Sequence, residues 1–289
     1  MNAIDIQGLS KAFKGKKGQQ VSALKDLTLS IEQGEVFGFL GPNGAGKSTT
    51  IKCLMGLIQP TSGTAFVMGH HCSNEKSRQR VGYLPENPAF YDYLSSEEYL
   101  LFVGRVFKMP DSLLQRRTEE ALKLLELWDA RKRPMRGYSK GMVQRVGLAQ
   151  VLIHDPDVYI LDEPMSGLDP IGRALVKDIV IDLKKRGKCV FFSTHITDDV
   201  EKVCDRVGIL LHGELKLIDR VDTILQQGIT GYQVRVKTSA GIICDHVVDK
   251  QKVGSFLSDL SNKGDEVILV EPYRKNLENL FLTLVHQEQ

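Results

Sequence analysis

The chain has 289 residues, 42% of them hydrophobic, enough for one sizeable core or for a large domain with a small one beside it. Its formal net charge of +2 is too small to argue by itself for a nucleic-acid or membrane-surface partner. Cys53, Cys72, Cys189, Cys204 and Cys244 are scattered without metal-ligand spacing, which fits free thiols in a reducing compartment better than a disulfide framework.

Met1-Asn-Ala-Ile-Asp-Ile has no basic region and no apolar core, so no signal peptide is expected. No segment reaches the roughly 20 apolar residues of a membrane-spanning helix. Residues 3–7 and 21–31 alternate apolar and polar side chains and predict strands of a β-rich opening. Between them runs a basic, glycine-containing loop, Phe13-Lys14-Gly15-Lys16-Lys17-Gly18. Phe13 is a candidate for stacking on a nucleotide base; the alternative is a loop aromatic packed on the sheet.

A short apolar run, Val36 to Leu40, then ends in Gly41-Pro42-Asn43-Gly44-Ala45-Gly46-Lys47-Ser48-Thr49. This is G-x-x-x-x-G-K-[ST] with a strand before it and a helix after it, the context of a phosphate-binding loop. Gly41, Gly44 and Gly46 allow the tight turn that brings backbone N–H groups to phosphate oxygens. The helix starting near Lys47 aims its positive dipole end at the same place. Lys47 is expected to reach the β- and γ-phosphates of a nucleotide, and the Ser48 hydroxyl to bind Mg²⁺.

A helix over 47–58 follows, then a strand over Thr64–Met68 and a polar turn carrying His70-His71-Cys72, with no further ligand at fixed spacing. Val81–Pro85 predicts another strand, and 97–108 and 111–128 predict helices, the second with its leucines on one side. Arg131 to Arg136 forms a basic, solvated linker. A helix over 140–154 has Ser139 as its N-cap. Val158–Leu161 is a buried strand that delivers Asp162 and Glu163 to its C-terminal end, beside the phosphate loop, where such sheets bind ligands. Asp162 suits Mg²⁺, directly or through water. Glu163 suits the general base that activates the attacking water. A helix over 171–186, a strand over Cys189–Ser193 and a hairpin of 207–211 with 214–218, turning at His212-Gly213, complete this part. Strands alternating with helices imply an α/β fold with a largely parallel sheet, interrupted by the helical stretch. After about residue 220 the pattern changes to strands over 232–237, 242–248 and 267–270 with helices over 252–262 and 277–285, a small α+β domain without a recognisable catalytic motif.

Together with four further segments, these motifs resemble the ATP-binding subunits of ABC transporters over residues 1–219. Tyr138-Ser139-Lys140-Gly141-Met142-Val143-Gln144-Arg145 resembles the signature motif, and Ser166-Gly167-Leu168-Asp169 the D-loop. Ser193-Thr194-His195 resembles the switch-histidine loop, and Tyr83-Leu84-Pro85-Glu86 stands where the family has its glutamine loop. The resemblance implies a P-loop NTPase core with a β-rich N-terminal subdomain, a helical subdomain at about 88–154, and an accessory domain at 220–289.

It also implies that two such subunits, here a homodimer, pack head to tail with ATP between them. Ser139 and the backbone around Gly141 then contact the γ-phosphate held by the other copy. His195 contacts the γ-phosphate and helps hold the water, and Asp169 lies near the dimer axis. Lys140 and Met142 depart from the usual Leu-Ser-Gly-Gly-Gln, and Phe13 stands where tyrosine is more frequent. Glu86 replaces the glutamine; a carboxylate oxygen ligates Mg²⁺ as an amide oxygen does.

The implied partner is an integral membrane permease on a separate polypeptide, with this chain peripheral at the cytoplasmic face and no nucleic acid expected. Tyr-Ser-Lys-Gly-Met-x-Gln-Arg, Gly-Tyr-Leu-Pro-Glu and the tail Val270 to Phe281 resemble the branch that serves drug, polysaccharide and ion exporters. Phe90, Tyr91, Tyr93, Tyr99 and Phe102 either line the groove for a coupling helix of the permease or fill the helical subdomain's own core, and a split between the two is expected. The competing readings are an importer ATPase and an ABC ATPase acting on ribosomes or DNA. The second usually carries two ATPase domains or a long coiled coil, whereas this chain has one phosphate loop and no heptad stretch.

Overall fold

Two long strands open the chain, β1 (Asn2–Lys14) and β2 (Gln20–Glu32), paired antiparallel. They extend past the clean alternation because bulges absorb the irregular positions. The register shifts between Ile6 and Leu9, where Gly8 takes φ 58. The computed structural model describes residues 2–15, 19–227, 229–238, 241–274 and 277–286, so Lys16, Lys17 and Gly18 of the predicted basic loop lie outside the described residues.

β3 (Val36–Leu40) is buried along its whole length and leads through the glycine loop into α1 (Lys47–Leu54). The helix stops four residues short of the predicted end. Gly56 turns the chain at φ 64, and a Cβ there would stand 2.5 Å from the Cys72 carbonyl. β4 (Ser62–Val67) pairs with β1, and β5 (His70–His71) pairs with β4, so the two histidines extend a sheet edge rather than a free turn. A 3₁₀ turn (Glu75–Arg78) precedes β6 (Val81–Leu84).

Three helices follow. α2 (Ser96–Val106) opens with a capping box made by Ser95 and Glu98. α3 (Asp111–Leu124) ends earlier than its leucine pattern predicts, because Glu126 turns left-handed at φ 55. Leu114, Leu122, Leu125 and Leu127 are buried, but Leu124 points outwards. α4 (Lys140–Leu152) starts where predicted, with the Ser139 hydroxyl accepting the Met142 N–H at 3.2 Å. The basic linker before it is not wholly solvated, since the Arg131 guanidinium sits 3.8 Å from the Trp128 ring centroid.

β7 (Val158–Asp162), α5 (Pro170–Lys185), β8 (Cys189–Thr194), α6 (Thr197–Val203), β9 (Arg206–Leu211) and β10 (Glu214–Arg220) complete the first part. α6 was not legible as a periodic segment because it is only two turns long; Asp198 and Asp199 in its first turn favour it. His212 and Gly213 take φ 49 and 82, the pair of left-handed residues that a two-residue hairpin of β9 and β10 requires. Sheet order is β2-β1-β4-β5 in the first sheet and β10-β9-β3-β8-β7-β6 in the second, whose strands β9, β3, β8, β7 and β6 run parallel. The parallel strands are apolar on both faces, as a covered sheet demands. Phe191 packs on Phe37 and Phe39 at 6.0 and 5.4 Å between centroids, and each such ring contributes about 1.5–3 kcal/mol by leaving water.

The chain divides into two compact units, Met1–Ile218 and Asp219–Gln289. The second holds α7 (Val221–Gln227), β11 (Ile229–Lys237), β12 (Ile243–Asp249), α8 (Val253–Lys263), β13 (Glu266–Arg274) and α9 (Leu277–His286). Its antiparallel sheet has the order β12-β11-β13, over a small core of Val234, Val236, Val248 and Leu260. Among the described residues no helix is long and apolar enough to cross a membrane.

Candidate active site

The C-terminal ends of β3, β7 and β8 lie side by side, because β8 pairs in parallel with both of the others. That one arrangement brings together the glycine loop after β3, the two acids ending β7 and the histidine after β8. The loop packs too tightly for a side chain at two of its glycines. A Cβ on Gly41 would stand 2.4 Å from the Leu210 carbonyl, and one on Gly46 would stand 2.5 Å from the Ala23 carbonyl. The loop is also tied to the β9–β10 hairpin, since the Gly213 N–H donates to the Ala45 carbonyl at 2.9 Å.

A pocket of about 280 Å³ opens over the loop. Pro42, Asn43, Gly44, Gly46, Lys47, Ser48 and Thr49 line it, with Ala23, Glu86 and Glu163 across from them. Lys47 is buried; its Nζ donates to the Gly41 carbonyl at 2.6 Å and lies 3.3 Å from Glu163 Oε1. His195 Nδ1 lies 3.0 Å from Glu163 Oε2. The Glu163 carboxylate therefore stands between a lysine and a histidine, only 8% of the residue reaching solvent.

Asp162 sits behind it, 2% exposed, and accepts the Ser193 hydroxyl at 2.6 Å. The same Ser193 oxygen accepts the Glu163 N–H at 3.0 Å. One serine thus fixes both acids. Burial, with Asp162 nearby, pushes the Tyr83 phenol up to about 12, so it stays neutral beside the site.

Other sequence-derived residues lie apart from the pocket. Ser139 caps α4 and is exposed, while Gly141 abuts the Gly167 carbonyl at 3.4 Å from an added Cβ. The signature segment therefore meets the 166–169 turn, not the glycine loop. Asp169 caps α5 by accepting the Gly172 N–H at 2.8 Å. Phe13 is 41% exposed near the end of β1, with Lys11 Nζ 5.1 Å from its ring centroid, and does not line the pocket. Of the five clustered aromatics, Tyr91, Tyr93 and Phe102 are exposed. Phe90 and Tyr99 turn inwards, 4.8 Å apart, and the Tyr99 hydroxyl donates to Gln150 at 2.6 Å.

The structural roles of Ser193 and Gln144 emerge only with the fold. Ser193 opens the Ser-Thr-His segment, and Gln144 lies inside the signature segment; their placement in those motifs was the available signal. Gln144 is buried and donates to the carbonyls of Glu163 and Pro164 at 3.4 and 3.1 Å.

The sequence model described as ABC transporter matches residues 24–166. An uncharacterised ABC transporter ATP-binding protein of Synechocystis is 42% identical, over 91% of this chain and 73% of that protein. The linearmycin resistance ATP-binding protein LnrL of Bacillus subtilis is 31% identical over 97% of each chain. A solved structure of an ATP-binding subunit of an ABC transporter superposes with a TM-score of 0.70 at 32% identity, covering 78% of this chain and 92% of that one.

Proposed function

Since the chain belongs to the ABC transporter family of ATP-binding proteins, we propose that this ATPase closes as a head-to-tail homodimer on two ATP molecules and drives an exporter permease carried on a separate polypeptide. The observation that carries the reading is that Lys47 and His195 both come within 3.3 Å of the Glu163 carboxylate, which lines the glycine-loop pocket.

Each residue has a task that follows from its place. The loop N–H groups and Lys47 hold the β- and γ-phosphates. Glu163 takes the proton from the attacking water, a role worth roughly 10²–10⁴ in rate. His195 is half exposed and engages that carboxylate through Nδ1, which leaves its other ring nitrogen for the γ-phosphate. The Ser48 hydroxyl and the Asp162 and Glu86 carboxylates are hard oxygen donors, the set that suits Mg²⁺. When bound, Mg²⁺ would neutralise charge on the phosphates.

The head-to-tail arrangement is supported by what the pocket lacks on its own chain. Ser139 and the N-terminus of α4 present an anion-binding helix end that is not directed at the chain's own glycine loop. A second copy turned about a two-fold axis brings that end to the γ-phosphate. Phe13 then stacks on the adenine from the open end of β1, and Asp169 lies near the axis.

Export is supported by the signature residues and by the likeness to a resistance protein over nearly its whole length. Peripheral attachment at the cytoplasmic face follows from a permease that presents its coupling helix there. Tyr91, Tyr93 and Phe102 are the exposed aromatics that suit such a helix. Replacing all three by serine should abolish co-purification of an integral membrane protein with the chain, while ATP affinity stays within about twofold, since none of them lines the pocket. Membrane extracts analysed by affinity capture decide it. A permease captured equally by the variant would move the docking surface elsewhere, and capture of ribosomes or DNA in its place would sink the transport reading.

A further inference from the structure

Glu163 occupies a backbone position that its neighbours must enforce. Its φ of 49 lies in the left-handed region, which a glutamate seldom adopts. It also precedes Pro164, whose ring crowds the residue before it. Such a conformation persists only where the surroundings over-determine it, and it clusters at functional sites.

The enforcing contacts come from three places. The Glu163 N–H donates to Ser193 at 3.0 Å, and its carbonyl accepts the Ser166 N–H at 3.0 Å. The third is the Gln144 side chain, whose Nε2 donates to the Glu163 and Pro164 carbonyls at 3.4 and 3.1 Å. Gln144 is 3% exposed and lies on the second turn of α4. Its amide is spent on two consecutive carbonyls beside the base. Its neighbour Arg145 instead reaches Glu126 and the Leu125 carbonyl. We propose that Gln144 is a positioning residue for hydrolysis: through the carbonyls of Glu163 and Pro164 it sets where the Glu163 carboxylate stands between Lys47 and His195. The proposal rests on Glu163 acting as the base.

α4 is capped by Ser139 and carries Gln144 on its second turn, so a single helix joins the signature segment to the base. A shift of that helix moves both together. Nucleotide engaged at the Ser139 end by a second copy then bears on the geometry of the chain's own Glu163.

The test separates position from fold. Gln144→Met keeps the length and removes both donors. In the full chain it should lower kcat roughly ten- to a hundredfold with KM within about twofold, because a misplaced base costs rate rather than binding. Gln144→Glu keeps the shape but presents an acceptor to two carbonyls, and it should be at least as impaired. It carries the same test should the Met chain fail to fold by thermal unfolding. Hydrolysis by either folded variant within twofold of wild type, with Glu163→Gln inactive, overturns the role of Gln144 and leaves the base standing. A loss of ATP affinity in proportion to the loss of kcat also overturns it, since a merely structural role predicts that pattern. Full activity in Glu163→Gln would overturn both.

Discussion

Glu163→Gln should bind ATP, hydrolyse it roughly 10²–10⁴ times more slowly than wild type, and accumulate as an ATP-bound dimer. The substitution is close to isosteric and keeps the backbone penalty at φ 49 unchanged, so the ties from Ser193, Ser166 and Gln144 are preserved. Only the proton acceptor is removed. Lys47 loses an ionic partner 3.3 Å away and retains its bond to the Gly41 carbonyl, so its charge is left to the phosphates. Binding should therefore be equal to wild type or tighter. Light scattering under saturating Mg-ATP reads the dimer, and phosphate release reads the chemistry. A monomeric Glu163→Gln chain at saturating Mg-ATP contradicts the sandwich; phosphate release within threefold of wild type removes Glu163 as the base.

The two acids ending β7 divide the work through a single hydroxyl. Ser193 donates to Asp162 and accepts from the Glu163 backbone, so β8 holds the carboxylates apart in function while they are adjacent in sequence. Asp162 is buried and accepts the Ser193 hydroxyl on one carboxylate oxygen; Glu163 lines the pocket between Lys47 and His195. A buried carboxylate without such a donor is costly, and an uncapped left-handed glutamate is strained. The parallel pairing of β7 with β8 solves both at once.

Much of this was legible because the site is built from contiguous motifs. The glycine loop, the acids after an apolar run and the Ser-Thr-His segment each carry their local structure with them. The rest depended on which strands lie side by side. Nothing in the spacing of Ser193 and Asp162 says that β8 sits between β3 and β7, yet that order creates their bond. Gln144 is nineteen residues from Glu163 and on another element, so its tie is invisible to any local pattern. Helices end short of their sequence pattern where a left-handed residue cuts a good periodicity, as at Gly56 and Glu126. α6 is too short for its period to stand out, and β5 exists only because β4 offers it an edge.

Gly46→Ala should cost the chain its nucleotide site, whereas Gly44→Ala should largely spare it. The two glycines are two residues apart in the same loop, and both are left-handed, at φ 112 and 81. Each therefore pays a backbone cost on the order of 1–3 kcal/mol for a side chain. Space decides between them. A methyl on Gly46 would meet the Ala23 carbonyl at 2.5 Å and Leu24 Cδ2 at 2.8 Å, whereas one on Gly44 has nothing within 4 Å. Backbone cannot yield as a side-chain end does, and the loop is further pinned by the Gly213 N–H on the Ala45 carbonyl. The loop must then move as a whole, and with it the N–H groups and the start of α1 at Lys47. ATP affinity in Gly46→Ala should fall at least about 100-fold, with stability lower by about 2–4 kcal/mol. Gly44→Ala should lose about 1 kcal/mol of stability and retain binding within about tenfold. Titration with a fluorescent ATP analogue, alongside thermal unfolding, measures both. Binding by Gly46→Ala within threefold of wild type would mean that the close approach of the loop to β2 does not shape the phosphate cradle.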